Sequence, residues 1–164
     1  MVTITDLIGK KIYRVGRAAA MCWIHIGKPI KMMTRGEMRV VGEYALHIDC
    51  PWRLLTKDSS EIVLGSADIF CPSSINKQDQ NFVWDVQGNN LFDEKAERIF
   101  SKLSEIIIQS AEMSPINDLT LTLSNGLLLQ CYVNQSSDEE CWRLFKPNQN
   151  AGDLIVTGQG IKYL

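Results

Sequence analysis

Histidine and paired cysteine are what this sequence has least of. Two histidines stand in 164 residues, with neither H-x-H nor H-E-x-x-H, so the familiar imidazole zinc sites are excluded. Five cysteines (Cys22, Cys50, Cys71, Cys131, Cys141) make an odd number without any C-x-x-C. A disulfide framework and a cysteine zinc site both fail on that pattern. The thiols read instead as small buried hydrophobes in a reducing compartment. Glycine-rich phosphate loops are missing too: there is no G-x-x-x-x-G-K and no G-x-G-x-x-G. Gly158-Gln159-Gly160 follows a strand but has no helix after it, which makes it a turn. No metal and no cofactor is expected. No apolar run approaches the roughly 20 residues of a membrane span. The start, Met1-Val2-Thr3-Ile4-Thr5-Asp6, carries an acid where a signal peptide wants basic residues. No membrane association is expected, and a cytoplasmic location is.

What the chain does have is a repetition. Cys50-Pro51-Trp52-Arg53-Leu54-Leu55 is echoed by Cys141-Trp142-Arg143-Leu144-Phe145. Each is followed by an apolar block, Ile62-Val63-Leu64-Gly65 in one case and Ile155-Val156-Thr157-Gly158 in the other. From Trp to the closing Gly is 13 residues in the first copy and 16 in the second, a difference one turn absorbs. Recurrence of such uncommon residues in register predicts two related β-rich units within one domain. With 45% hydrophobic and 22% charged residues, one globular domain spanning residues 1–164 is expected.

Period-two patterns supply most of the elements. Residues 10–15 and 21–26 read as strands, with a short helical turn allowed at Ala18-Ala19-Ala20. Residues 28–39, with Pro29, Gly36 and mixed charge, read as a loop or a hairpin tip. In Tyr44–Cys50, Leu46, Ile48 and Cys50 share one face while Ala45, His47 and Asp49 share the other; Pro51 then places the strand at an edge or a bulge. Residues 61–70 give a further strand, and 73–90 a long polar loop anchored by Phe82, Val83, Trp84 and Val86. Leu91, Ala96, Ile99, Phe100, Leu103, Ile106 and Ile107 recur at helical spacing, which predicts one long helix over about 90–110, capped by Asn90 and Asp93. Residues 119–124 and 127–133 form a hairpin around a type I′ Asn125-Gly126 turn. Strands at 141–145 and 154–157 complete the second unit, with 146–152 as the loop between them. The fold class is α+β: pseudo-duplicated antiparallel meanders, with β-rich halves at about 8–72 and 117–164, form a sheet or partly open barrel packed on the long helix.

The run Gly42–Arg53, followed by Gly65-Ser66-Ala67-Asp68-Ile69-Phe70 and later by Cys141–Phe145, resembles a signature of small uncharacterised bacterial proteins. That likeness spans most of the chain. In size and texture it is similar to immunity-type proteins, single-domain α+β modules that neutralise a toxin by binding. The resemblance implies a binding module and carries over no catalytic residue.

Candidate contact residues follow from charge and exposure. If Trp52 and Trp142 are buried, Arg53 and Arg143 face outward and can fork onto a partner's carboxylate or phosphate; the alternative is pairing with Glu61 and Asp153. Asp138, Glu139 and Glu140 form an acidic loop able to dock a basic protein surface. These five residues are the expected protein-binding set, and the leading expectation is a non-enzymatic protein-binding module. A second reading places a small-ligand or catalytic cavity inside the sheet, lined by Trp23, His25, His47, Asp49 and Trp52. Thiol catalysis by Cys22 or Cys50 is disfavoured, because each differs in strand parity from its histidine. A third reading draws on residues 10–39, which hold eight Lys or Arg against the single acid Glu37. Lys28, Lys31, Arg35 and Arg39, with Met32-Met33 at the tip, would there touch nucleic acid. It ranks last, because the whole chain carries a net charge of −2.

Overall fold

The computed structural model describes residues 1–101, 105–149 and 152–164. Its strands are β1 (Ile12–Ala18), β2 (Met21–Thr34), β3 (Glu37–Ile48), β4 (Trp52–Thr56), β5 (Ile62–Gly65), β6 (Ile108–Met113), β7 (Leu119–Leu123), β8 (Leu127–Cys131), β9 (Glu140–Phe145), β10 (Leu154–Thr157) and β11 (Gly160–Tyr163), and its helix is α1 (Leu91–Ile99). They build a six-stranded sheet, β1-β2-β3-β9-β10-β11, and a five-stranded sheet, β5-β4-β8-β7-β6. Every pairing in both is antiparallel. Each sheet draws strands from both halves of the chain, so the halves interlock and neither has a core of its own.

The sheets pack face to face around one cluster. Ile24, Leu46, Ile48, Trp142 and Leu144 come from one side, Trp52, Leu54, Leu119, Leu121 and Leu129 from the other. Alternation explains why: along β2 Cys22, Ile24 and Ile26 are buried while Met21, Trp23 and His25 are not, which is the period of a half-buried strand. One corner is stitched shut. Gly9 donates to the Ile108 carbonyl (2.8 Å), Ile108 to Lys10 (2.9 Å) and Ile12 to Ile106 (2.9 Å), so the arrangement is barrel-like there and open elsewhere.

Several expectations are corrected. The helix is short, nine residues ending at Ile99. Positions 102–104 lie outside the described residues, and Ile106 and Ile108 are instead drawn into the stitched corner, where extended backbone satisfies their hydrogen bonds. Tertiary pairing overrides helical spacing here. The Asn90 cap does form, its side chain accepting from the Asp93 N–H at 2.8 Å. For residues 28–39 the hairpin alternative holds and the loop does not: β2 and β3 run through them as one long hairpin, closed by Arg35 (φ 51°) and Gly36 (φ 81°). That is the type I′ pair of positive φ values. At Asn125-Gly126, by contrast, only Gly126 has positive φ (79°), so the expected type I′ turn is replaced by a longer connection.

The strand and loop at 61–70 also differ, because residues 66–70 form a 3-10 turn after β5. In the loop at 73–90, Trp84 packs on the core and against Phe70 (5.3 Å between rings), whereas Val83 and Val86 are exposed. Of the loop at 146–152, positions 150 and 151 lie outside the described residues.

The two Trp-Arg segments open hairpins in different sheets. Arg53 faces Gly65 and Leu54 faces Leu64, while Arg143 faces Ile155 and Leu144 faces Leu154. Leu64 and Leu154 thus each face the residue two after a Trp, whereas Thr157, matched with Leu64 by sequence, faces Glu140.

Candidate functional site: a groove on the outer face of the six-stranded sheet

Antiparallel register decides which side chains meet. Gly16 faces Trp23, Trp23 faces His47 and His47 faces Arg143, so one row of the outer sheet face reads Gly16, Trp23, His47, Arg143. The neighbouring row reads Arg14, His25, Ala45, Phe145. Gly16 is required by close approach: a Cβ there would stand 2.3 Å from the Trp23 ring. The indole thus lies flat over the glycine, covering a backbone that β1 leaves bare. The Arg14 guanidinium sits 5.6 Å from the Trp23 ring centre, a cation–π distance. Trp23 and His25 are 4.9 Å apart, and His47 meets Phe145 edge-on at 4.8 Å.

The long hairpin supplies a wall. Its ladder slips between Ile26 and Pro29, where Gly27 takes φ 85°, and a bulge of this kind bends and twists a strand pair. Thr34, Arg39, Val40 and Val41 then border, with Arg14, Met21, Trp23, His25 and His47, an open groove of about 580 Å³. Arg14 is in no ion pair among the described residues, whereas Arg39 reaches Glu37 at 3.1 Å.

Both imidazoles are shifted toward the neutral form. Burial, reinforced by His47 and Arg14, pushes His25 down to about 4. Burial also lowers His47, with Glu140 opposing and Arg143 reinforcing. The buried Nδ1 of His25 has no hydrogen-bond partner among the described residues. Thiol chemistry is remote from the groove: Cys22 and Cys50 lie on the inner side, and burial pushes both to about 12. Among the described residues no three His, Cys, Asp or Glu groups are placed to hold a metal.

Of the residues expected to line a cavity, Trp23, His25 and His47 come together, on the outside of the sheet rather than within it. Asp49 lies beyond the end of β3, where burial and Glu140 raise its carboxyl and Arg143 opposes them. Trp52 is on the other side of the core, edge-on to Phe92 at 5.9 Å. The reason is local: after Cys50-Pro51 the chain leaves one sheet for the other, so strand parity is not continued. The space between the sheets beside Trp52, Ile24 and Leu129 is about 10 Å³, at most one water.

The expected protein-binding set is mostly engaged within the chain. Arg143 binds Glu140 at 2.6 Å and Asp153 at 3.6 Å. Asp138 pairs with Lys162 and accepts from Thr157. Arg53 is not paired with Glu61; its Nε donates to Gln130 (3.0 Å) and its guanidinium lies 5.2 Å from the Tyr132 ring centre. Glu139 remains exposed, without a side-chain partner among the described residues. On the hairpin, Lys28, Lys31, Arg35 and Arg39 are exposed, and so are Met33 (62%) and Met38 (60%).

Sequence reasoning missed Arg14, Gly16 and Phe145, whose roles arise from register across strands; a glycine inside a strand pattern was the one local signal. It also missed the buried Arg17–Asp93 pair, bidentate at 2.8 and 2.9 Å. Burial works against the Asp93 charge, but hydrogen bonds from Arg17 and the Gly88 N–H outweigh it and hold the carboxyl below its usual range. Comparison with family models, curated proteins and solved structures found no match for this chain.

Proposed function

We propose that the chain is a non-enzymatic protein-binding module that takes an acidic segment of a partner protein into the groove beneath the β2–β3 hairpin. One observation carries the reading: an Arg14 guanidinium without an acid partner, stacked on a Trp23 held over Gly16, beside two imidazoles shifted toward the neutral form. Arginine and tryptophan are the side chains that dominate protein interfaces energetically. A partner carboxylate gains a fork from Arg14, and an apolar neighbour gains the indole face. The open form of the groove suits a chain segment better than an enclosed small molecule, and the exposed Met33 and Met38 add adaptable apolar contacts. The resemblance to immunity-type proteins points the same way. The two Trp-Arg hairpins fit a repeated unit, since Trp to the inward leucine spans 12 residues in each once Leu64 is matched with Leu154.

The test is capture from the native cell followed by titration of the captured protein against Arg14→Glu and Trp23→Ala. Each variant is expected to weaken binding at least tenfold while the fold persists, with the Arg14→Glu loss greatest at low salt. Equal binding by both variants overturns the groove. Nucleic acid is the competing occupant. Retention of a single-stranded oligonucleotide, lost on replacing Lys28, Lys31, Arg35 and Arg39, would replace the protein reading with that one.

A further inference from the structure

A second cleft, of about 690 Å³, lies between α1, β1 and the turn at 73–75. Three carboxylates border it (Asp93, Glu94 and Glu97), and among the described residues no Lys, Arg or His does. Their availability differs. Asp93 is consumed by Arg17. Glu94 accepts the Ser74 N–H at 2.6 Å and stands 3.9 Å from the exposed Arg98. Glu97 is exposed and in no ion pair among the described residues. The floor is apolar: Val15, Phe92, Ala96 and Phe100.

Ser73 is the independent observation. It borders the cleft, is 2% exposed, and its Oγ has no hydrogen-bond partner among the described residues. Its backbone is fully used, the N–H donating to Asn89 (2.8 Å) and the carbonyl accepting from Asn76 (3.0 Å). A buried hydroxyl left unpaired is uncommon and calls for a missing partner. With carboxylates at the rim, a neutral acceptor at depth and an aliphatic–aromatic floor, the geometry points to a site for an alkyl cation. The ligand class is a protonated amine or guanidinium on an apolar stem, carried by a free polyamine or by a lysine or arginine side chain. The stem lies along Phe100 and Val15, as long cationic side chains lie on apolar surface. The head meets Glu97 and Glu94, and one N–H is accepted by Ser73.

Backbone amide shifts of the whole protein, followed by NMR during titration, test this. The probes are spermidine, N-acetyl-lysine methylamide and, as the uncharged control, N-acetyl-norleucine methylamide. Saturable shifts are expected at residues 73–75 and 92–97 with the cations and not with the control. Stronger binding of spermidine assigns a free polyamine; stronger binding of the lysine derivative assigns a protein side chain. Ser73→Ala should weaken the site about tenfold, as for a hydrogen bond to a charged group, and Glu97→Gln by severalfold. If Ser73→Ala fails to fold, the exposed Glu97→Gln still reports. The site is overturned by absent shifts, by equal shifts with the norleucine control, by shifts spread over Asp138–Glu140, or by affinities unchanged in Glu97→Gln and in a folded Ser73→Ala.

Discussion

The outer face of the six-stranded sheet carries Arg14, Trp23, His25, His47 and Arg143, whereas the outer face of the five-stranded sheet carries a row of Arg53, Gln130 and Thr120. Much of that face is engaged with itself: Arg53 and the Tyr132 hydroxyl both donate to Gln130, and in the next row Ser110 donates to Thr122. The first combines an unsatisfied imidazole nitrogen, an arginine without an acid, and an indole seated on glycine. Two sheets with equally apolar inner faces therefore differ in what they leave unfinished outside. A fully satisfied polar row stabilises the sheet it lies on; unfinished polar groups beside a groove are where a ligand gains most.

The same contrast runs through the two tryptophans. Trp142 is fully buried and its indole N–H donates to the Asn117 carbonyl at 3.0 Å. Trp52 is 6% exposed and rests edge-on against Phe92. Trp142→Ala is expected to cost the most, about 4–5 kcal/mol, because it opens a cavity and also removes the indole donor of the half-buried Asn117 carbonyl. Trp52→Ala should cost about 3 kcal/mol. Urea unfolding of both variants checks the order, and a Trp52 effect larger than the Trp142 effect would break the comparison. Gly16→Val should come next, at about 1–3 kcal/mol for overpacking. Its signature is a change in Trp23 fluorescence and loss of partner binding, with the five-stranded sheet undisturbed by NMR.

Among the arginines, Arg143→Ala is expected to cost about 1 kcal/mol, since it strands Glu140 and Asp153, and Arg53→Ala less, since its partners are neutral. Thermal melts at low and high salt separate them: only the Arg143 effect should shrink with salt. A further effect is on pH dependence. His25 titrates near 4 in the folded chain against an ordinary 6.5. As pH falls from about 6.5 to about 4 the unfolded chain takes up that proton and the folded one does not, so stability is lost across that window. His25→Gln should reduce the drop in melting temperature between pH 7 and pH 4.5, and an unchanged drop would remove His25 from the account. Replacements on the five-stranded face should leave the slope as it is.

Much of the architecture was legible because strands announce themselves by parity. Leu46 and Ile48 against His47, and Leu119, Leu121 and Leu123 against their threonines, fall on the faces the alternation assigns. The opposed parity of Cys22 and His25 likewise holds. The hairpin tip at 28–39 was legible only as one of two alternatives and its paired length was not, because Pro29 and Gly36 look like loop residues until a bulge and a type I′ turn use them. The helix was overdrawn, because Ile106 and Ile107 satisfy a helical period and a strand equally, and the corner with Lys10 decides between them. The groove could be read only as a pair of histidines and a tryptophan. Arg14 and Gly16 join it through β1–β2 pairing, which no local pattern encodes.

The pairing of β3 with β9 sets the order in which the molecule can be completed. Leu46 and Ile48 on β3 wait for Leu144 and Trp142, nearly a hundred residues later in the chain. Closing so long a loop delays the sheet on the folding timescale, as non-local β topologies do. During synthesis the β3 edge stands open with its apolar inner face bare, so a chain stalled before β9 presents a ready template for pairing with another copy. Arrival of β9 removes that template, because its pairing covers the β3 edge.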